Sequence, residues 1–272
     1  MPWPEKVASS WGALNGVSEL VANVAPSIPG YMSRGVPDAR WDLRPSLVRL
    51  LPEGITRADA LSIEKRARET FMAQAHLHLP ESWLPPRLPT PSLSDWWAIM
   101  QHYSAPTRLL DWTFSLYVAA YFAVAQHWNC DGAIYLVHGG RLLNAMNARP
   151  GASKRFHDSQ FLSEAPSQQL ITPSLARETD RIVAQQGLFT VALDVLANHG
   201  TLIEDALANE SADAVSHLKI IVPKERKPEF LLQLRHMNIT ARSLFPGADG
   251  LGRSVAETIR VARAKKQSQS NS

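Results

Sequence analysis

The chain has 272 residues, of which 45% are hydrophobic and 19% charged, the balance of a globular domain rather than a disordered chain. Its one cysteine, Cys130, excludes an internal disulfide and a cysteine-built zinc site. The net charge of +3 suits an anionic small ligand; without a clustered basic patch it carries no argument for nucleic acid.

Residues 1–16 hold Pro2 and Pro4 with little periodicity and are expected to be a flexible N-terminal segment ahead of a domain over 17–262. Apolar spacing predicts a helix over 16–25, ended by Pro26 and Pro29. A short extended segment, Tyr31-Met-Ser-Arg-Gly35, then leads into a turn at Pro37 and Asp38. Thr56 with Asp59 three residues on reads as a capped helix start, the helix reaching about His76 with Ala60, Ile63, Ala67, Phe71 and Ala75 inward. A proline-rich extended connection, 80–91, precedes a second capped helix from Ser94 to His102. Thr107–Asp111 is expected as a strand, and Ser115 to about Trp128 as a helix apolar on every side and therefore buried. Strands are predicted at 133–137, 188–192 and 218–222, and helices at 202–207 and 228–235. A long loop is expected over 148–178. The last helix is amphipathic, with Leu251, Val255, Ile259 and Ala262 expected inward and Arg253, Glu257, Arg260 and Arg263 outward. Beyond it, 263–272 reads as a disordered tail. Strands and helices do not alternate strictly, which points to an α+β single domain with a mixed or antiparallel sheet flanked by helices.

The familiar signatures of phosphate loops, dinucleotide turns, zinc helices and serine nucleophiles are absent. His76 and His78, placed on one face of an extended segment, lack a further ligand at metal spacing, so no metal is expected. No run of eighteen apolar residues and no N-terminal leader pattern occurs, and a cytoplasmic protein without membrane partners is expected. The densest polar cluster is Gln101-His-Tyr-Ser-Ala-Pro-Thr-Arg-Leu-Leu-Asp-Trp-Thr113, directly ahead of the buried helix, where a pocket would form at the edge of a core. Asp111 has three open roles: capping that helix, orienting Arg108, or acting as a functional carboxylate. Arg34 with Gly35 is either a phosphate-binding fork beside a glycine that admits a ligand, or a structural ion pair at a turn. Gln185-Gln186-Gly187 either hydrogen-bonds a ligand edge or closes a turn.

Five segments occur in an order that resembles the FRG domain family. They are Tyr31–Gly35, Trp41-Asp-Leu-Arg-Pro-Ser-Leu47, Gln101–Ala123, Arg181–Phe189 and Ser243–Gly250, spanning about residues 17–260. The chain departs from the family's Phe-Arg-Gly motif at Ser33, and Val36 stands where a glutamine usually follows, which removes one ligand contact. A second likeness is to ADP-ribosyltransferases of the arginine-serine-glutamate type: Arg34 on a first strand, Asp111-Trp112-Thr113 before Val118–Ala123, and Gln186 in the glutamate's place. That likeness implies an ADP-ribosyltransferase-like fold with NAD as substrate, and ADP-ribosyl transfer or NAD cleavage in the setting of a toxin or defence effector. On it, Arg34 binds phosphate or the nicotinamide-side ribose, with Gly35, His102 and Arg108 beside the ligand. Thr113 bonds the ribose or supports the strand, Trp112 or Tyr103 stacks on nicotinamide, and Gln186 binds a ribose hydroxyl. A glutamine supplies no negative charge, so Asp111 or Glu178 would take the carboxylate's part. The alternative class is a non-enzymatic ligand- or protein-binding module in which the same polar residues form one buried network. Nucleic-acid binding through Arg260, Arg263, Lys265 and Lys266 ranks last, since no stacking aromatics accompany them.

Overall fold

The computed structural model describes residues 3–22, 30–84, 92–149, 152, 157–163, 165–208 and 215–270. The first half contains β1 (Glu5–Val7), α1 (Trp11–Ala22), β2 (Tyr31–Val36), α2 (Ser46–Leu50), α3 (Arg57–His78), α4 (Leu93–His102), β3 (Leu109–Thr113) and α5 (Leu116–Val124). The second begins with β4 (Gly132–His138), α6 (Gly139–Asn147), α7 (Asp158–Phe161), β5 (Leu170–Ile171), α8 (Asp180–Ala184) and β6 (Gly187–Ala192). It ends with α9 (His199–Leu207), β7 (His217–Val222), α10 (Lys227–His236), α11 (Ala241–Leu244) and α12 (Ala248–Ser270).

The seven strands form one sheet in the order β1-β7-β4-β2-β3-β6-β5. β1 runs parallel to β7 and the remaining pairs are antiparallel, so the sheet is mixed, as expected. Alternation of side chains along each strand assigns the two faces. One face carries Met32, Trp112, Tyr135 and Val137, packed with Leu142 of α6 and Ile203 of α9. The other face holds two separate cores. Ile134, Leu136 and Ile220 lie with α5 and α10, whereas Leu109, Phe189 and Val191 lie with Trp97 and Met100 of α4. The division follows a splay in the sheet. β2 pairs with β4 from Tyr31 to Val36 but meets β3 only at Ser33 and Thr113.

Helix α5 sits against the sheet at its middle. Ser115 caps it by accepting from the Val118 N–H at 3.3 Å, and its small residues let it lie close to β2. A Cβ built on Gly35 would fall 1.8 Å from the Ala119 carbonyl oxygen. The glycine therefore admits the helix backbone, not a ligand. Lys227 closes the far end of α5: wholly buried, its Nζ donates to the carbonyls of Pro37, Gln126 and His127, which satisfies the ammonium without a carboxylate.

Several expectations are corrected. The segment 1–16 holds β1 and the start of α1, because backbone pairing to β7 and burial of Leu14 order it; an edge strand exposed on both faces has no alternation to read. α1 ends at Ala22, and the expected continuation to 25, with the stop at Pro26 and Pro29, lies outside the described residues. The connection over 80–91 is described to residue 84 and contains a 3₁₀ turn, Glu81–Trp83. α4 is capped by Ser92 rather than Ser94, reciprocally with Asp95. β3 lies two residues later than expected, and α5 stops at Val124, short of Trp128. α3 buries Ala60 and Ala75 with Glu64 and Arg68, not a wholly apolar stripe, and its continuation to His78 puts His76 and His78 on different sides of a helix. The loop over 148–178 contains α7 and β5. α12 carries helical backbone to Ser270, and it is turned over. Glu257 and Val261 face inward, while Leu251, Val255 and Ile259 are exposed.

Candidate functional site

Where β2 and β3 part, residues from β2, α2, α4, β3, α8, β6 and α12 line a cleft of ≈ 220 Å³. Arg34 bridges the gap. Its Nη1 donates to the Asp111 carbonyl at 2.7 Å and approaches the Asp111 carboxylate at 3.4 Å. The Arg34 side chain is 18% exposed and its Nε is a buried donor with no partner among the described residues. Asp111 is an outlier in its strand: its neighbours Leu110 and Trp112 are buried on the other face, while its own side chain is 53% exposed into the cleft. A carboxylate so placed is available to a ligand.

Three further guanidiniums converge here from distant elements, Arg49 of α2, Arg181 of α8 and Arg253 of α12. Arg253 is paired with Asp249 at 2.9 Å and lies over the Phe245 ring, 4.3 Å from its centre. Arg181 approaches the same ring at 4.8 Å and, among the described residues, forms no salt bridge. Burial pushes its pKa down, partly offset by Asp111, and the charge of Arg253 adds to the depression. Arg49 donates to the Arg44 carbonyl at 2.6 Å, and its pKa is likewise lowered, by burial and then by Arg34. Asp111 is the single carboxylate among the described lining residues. The cleft therefore holds an excess of fixed positive charge.

Uncharged polar groups fill in the walls. Gln185 lines the cleft with its amide donating to the Leu244 carbonyl at 3.0 Å, and Ser104 lines it with a left-handed backbone at φ 64°. His102 stands at the lip, its ring against Trp83 at 4.6 Å and Tyr103 at 4.9 Å. Burial, then the charge of Arg181, lowers the His102 pKa, so its imidazole is neutral at pH 7 and offers one donor and one acceptor.

The residues singled out in the sequence divide accordingly. Arg34, His102 and Asp111 line the cleft, and exposed Tyr103 stands beside it in the aromatic cluster. Arg108 is sealed in the core. It is bonded through both ends of its fork to Glu64 and lies 4.8 Å from the Trp97 ring. Trp112 is buried on the opposite face, its Nε1 donating to Thr190 at 2.9 Å. Thr113 supports the backbone: it donates to the Gln185 carbonyl at 2.7 Å and accepts from the Ser115 N–H at 3.0 Å. Gln186 is exposed on the turn before β6 with φ 47°, and its side chain is not among those lining the cleft; the preceding Gln185 is. Glu178 likewise does not line the cleft. Arg49, Arg181 and Arg253 went unread as site residues because no spacing connects positions 49, 181 and 253, whereas Gln185 fell within the Gln185-Gln186-Gly187 turn read as a possible ligand edge.

Among the described residues no helix is long and apolar enough to cross a membrane, and no group of three metal-ligating side chains occurs. Neither the curated proteins nor the solved structures searched contain a match to this chain. Residues 30–131 match the family model of the FRG domain, a span that contributes Arg34, Arg49, His102 and Asp111 to the cleft, while Arg181, Gln185 and Arg253 come from later in the chain. The stretch that matches the FRG domain model contains β2, β3 and α5.

Proposed function

We propose that the cleft binds a nucleotide through its pyrophosphate, with NAD as the ligand. The observation that carries this reading is the convergence of four guanidiniums on one carboxylate. Arg253 is matched by Asp249 and Arg34 by Asp111, which leaves Arg49 and Arg181 without an ion-pair partner among the described residues. Two uncompensated cations match the two negative charges of a pyrophosphate, and a guanidinium fork suits phosphate oxygens. The aromatic cluster of Trp83, His102 and Tyr103 at the lip offers ring faces and edges to a base or nicotinamide.

Turnover is the second step of the proposal. In ADP-ribosyl transfer or hydrolysis the bond from ribose C1′ to the nicotinamide nitrogen breaks, and its electron pair leaves with nicotinamide. A hydroxyl, amine or water attacks C1′ and gives up a proton. The sugar passes through a cation-like state that needs negative charge nearby. Asp111 is the carboxylate placed to supply it; Gln186 has neither the charge nor the position. A binding module without turnover is the competing reading, favoured by one observation: four guanidiniums around a single acid make the cleft electropositive, which opposes a cationic transition state.

Calorimetric titration with ADP-ribose and NAD tests binding. Mass spectrometry for released nicotinamide and for ADP-ribose adducts tests turnover. The expected results are binding of both ligands, and product formation that Asp111→Asn abolishes while ADP-ribose affinity is retained. Binding without nicotinamide release would establish the module. No binding of either ligand would end the nucleotide reading.

A further inference from the structure

A second cavity, of ≈ 650 Å³, shares no lining residue with the arginine cleft among the described residues. Its walls come from the β1 end of the sheet, the loop after β2 and the start of α9. Trp3 is 9% exposed, its ring clamped edge-on against Tyr135 and His217, each at 5.0 Å. Its backbone N–H donates to Glu204 Oε1 at 3.0 Å. Its indole Nε1 makes no hydrogen bond among the described residues and lies 3.6 Å from where a Cβ on Gly200, another lining residue, would stand. Trp41 is held through its backbone, between the Tyr135 hydroxyl at 2.8 Å and the Asp38 carbonyl at 3.0 Å, and is 44% exposed. The charges in the walls are matched with one exception. Lys219 pairs with Glu5 at 2.9 Å, and Arg40 with Asp38 and Asp42 with Arg44 at 2.6 Å each. Glu204 has no ion-pair partner among the described residues, and its Oε2 accepts no hydrogen bond from them. Thr201, three residues earlier on the same side of α9, adds an exposed hydroxyl.

We propose that this cavity binds a saccharide, a neutral polyhydroxylated ring, at a site separate from the arginine cleft. The pairing of an open donor with an open acceptor selects that chemistry. Trp3 Nε1 can only donate, and the Glu204 carboxylate can only accept. The hydrogen bond from the Trp3 N–H to Glu204 fixes the two residues beside each other, so a group that meets both must accept and donate. A sugar hydroxyl does both at once, and a neighbouring hydroxyl on the same ring reaches Thr201. An ammonium or guanidinium has no lone pair for the indole, and a phosphate would meet the unmatched charge of Glu204. Exposed Trp41 gives the apolar C–H face of a sugar ring a flat surface to lie on. The size agrees: small-ligand sites are concavities of about 300–1,000 Å³ that combine aromatic surface with a few placed polar groups. Trp3 is already clamped before a ligand arrives, so little freedom is lost on binding.

Saturation-transfer NMR on the full chain tests this with glucose, galactose, mannose, N-acetylglucosamine, maltose and cellobiose, followed by titration of whichever sugars bind. Trp41→Ala removes the flat surface. Glu204→Gln keeps an amide oxygen for the Trp3 N–H while withdrawing the second acceptor. Thr201→Val, at an exposed position, supplies a further polar variant that should fold even where Glu204→Gln does not. The expected result is binding of at least one sugar, weakened at least about tenfold by Glu204→Gln and by Trp41→Ala and measurably by Thr201→Val. Arg181→Gln and added ADP-ribose should leave it unchanged, which separates this cavity from the cleft. No bound sugar at high millimolar concentration overturns the proposal. So does sugar binding that the three cavity variants retain, or that Arg181→Gln abolishes. Binding of tetramethylammonium in place of the sugars would make the cavity a cation site and end the saccharide reading as well.

Discussion

Replacing Arg181 with glutamine separates a ligand site from a structural network, because the two readings predict opposite changes in stability. In the free protein the guanidinium lies 4.8 Å from the Phe245 ring, a contact contributing about 0.5–1 kcal/mol. Against it stand burial and the like charge of Arg253, both of which lower its pKa. With no salt bridge to lose among the described residues, Arg181→Gln should change free-state stability by less than about 1 kcal/mol, roughly 3 °C in melting midpoint. Affinity for ADP-ribose should fall far more. A hydrogen bond to a charged group is worth about 1.5–3 kcal/mol, which is roughly 10- to 150-fold in dissociation constant. Ligand-induced stabilisation follows from the same figures. At a concentration a hundred times the wild-type dissociation constant the wild type gains about 2.7 kcal/mol, whereas a variant binding a hundredfold more weakly gains only about 0.4 kcal/mol. Calorimetry with scanning fluorimetry, with and without ADP-ribose, measures both quantities. A variant that unfolds in the free state, or one that binds as tightly as wild type, would refute the reasoning.

Breaking the sealed pair of Arg108 and Glu64 by Glu64→Leu should cost about 3–5 kcal/mol in chemical denaturation, since it strands a charge in the core. The double variant Arg108→Leu, Glu64→Leu should lose less than the sum of the single ones. Gly35→Ala should prevent α5 from seating, because its methyl would overlap the Ala119 carbonyl, and the chain should be recovered unfolded or lacking near-ultraviolet circular dichroism. His199 sets a pH dependence. Complete burial and the charges of Arg34 and Arg108 push its pKa down to about 3, against an unfolded value near 6.5. The native state therefore stays neutral at a pH where the unfolded chain takes up a proton. Stability is full above about pH 6.5 and falls by about 1.4 kcal/mol per unit as pH drops towards 3. Guanidinium titrations across that range should show a shallower decline in His199→Gln; an equal slope would mean that other groups control acid unfolding.

How much of the site could be read in advance depended on whether a residue's role was set locally. Thr56 was legible as a cap because a capping hydroxyl bonds to an N–H two or three residues on, whereas Ser115 was read only as the start of its helix. The buried α5 followed from its lack of a polar face, and Arg34 and Asp111 from their place in motif-dense segments. Arg108 misled for a physical reason. A guanidinium can enter a core when a carboxylate meets its fork, and that partner, Glu64, lies on α3, 44 residues away. Trp112 misled through strand alternation: one residue of register decides whether its ring faces the cleft or the far core. The choice between Gln185 and Gln186 turned on a single left-handed residue that swings adjacent side chains apart.

Sequence alone thus determined the mixed sheet flanked by helices, the buried central helix and the likeness to the FRG domain, since periodicity, capping and contiguous motifs are properties of neighbours along the chain. Tertiary structure alone decided that β2 and β3 splay, that arginines from four separate elements share one cleft, and that α12 turns its aliphatic side outward. Each of those depends on which distant surfaces meet. The Tyr121 and Glu257 contact, across 136 residues of chain, fixes the rotation of α12 against the pull of its own hydrophobic pattern.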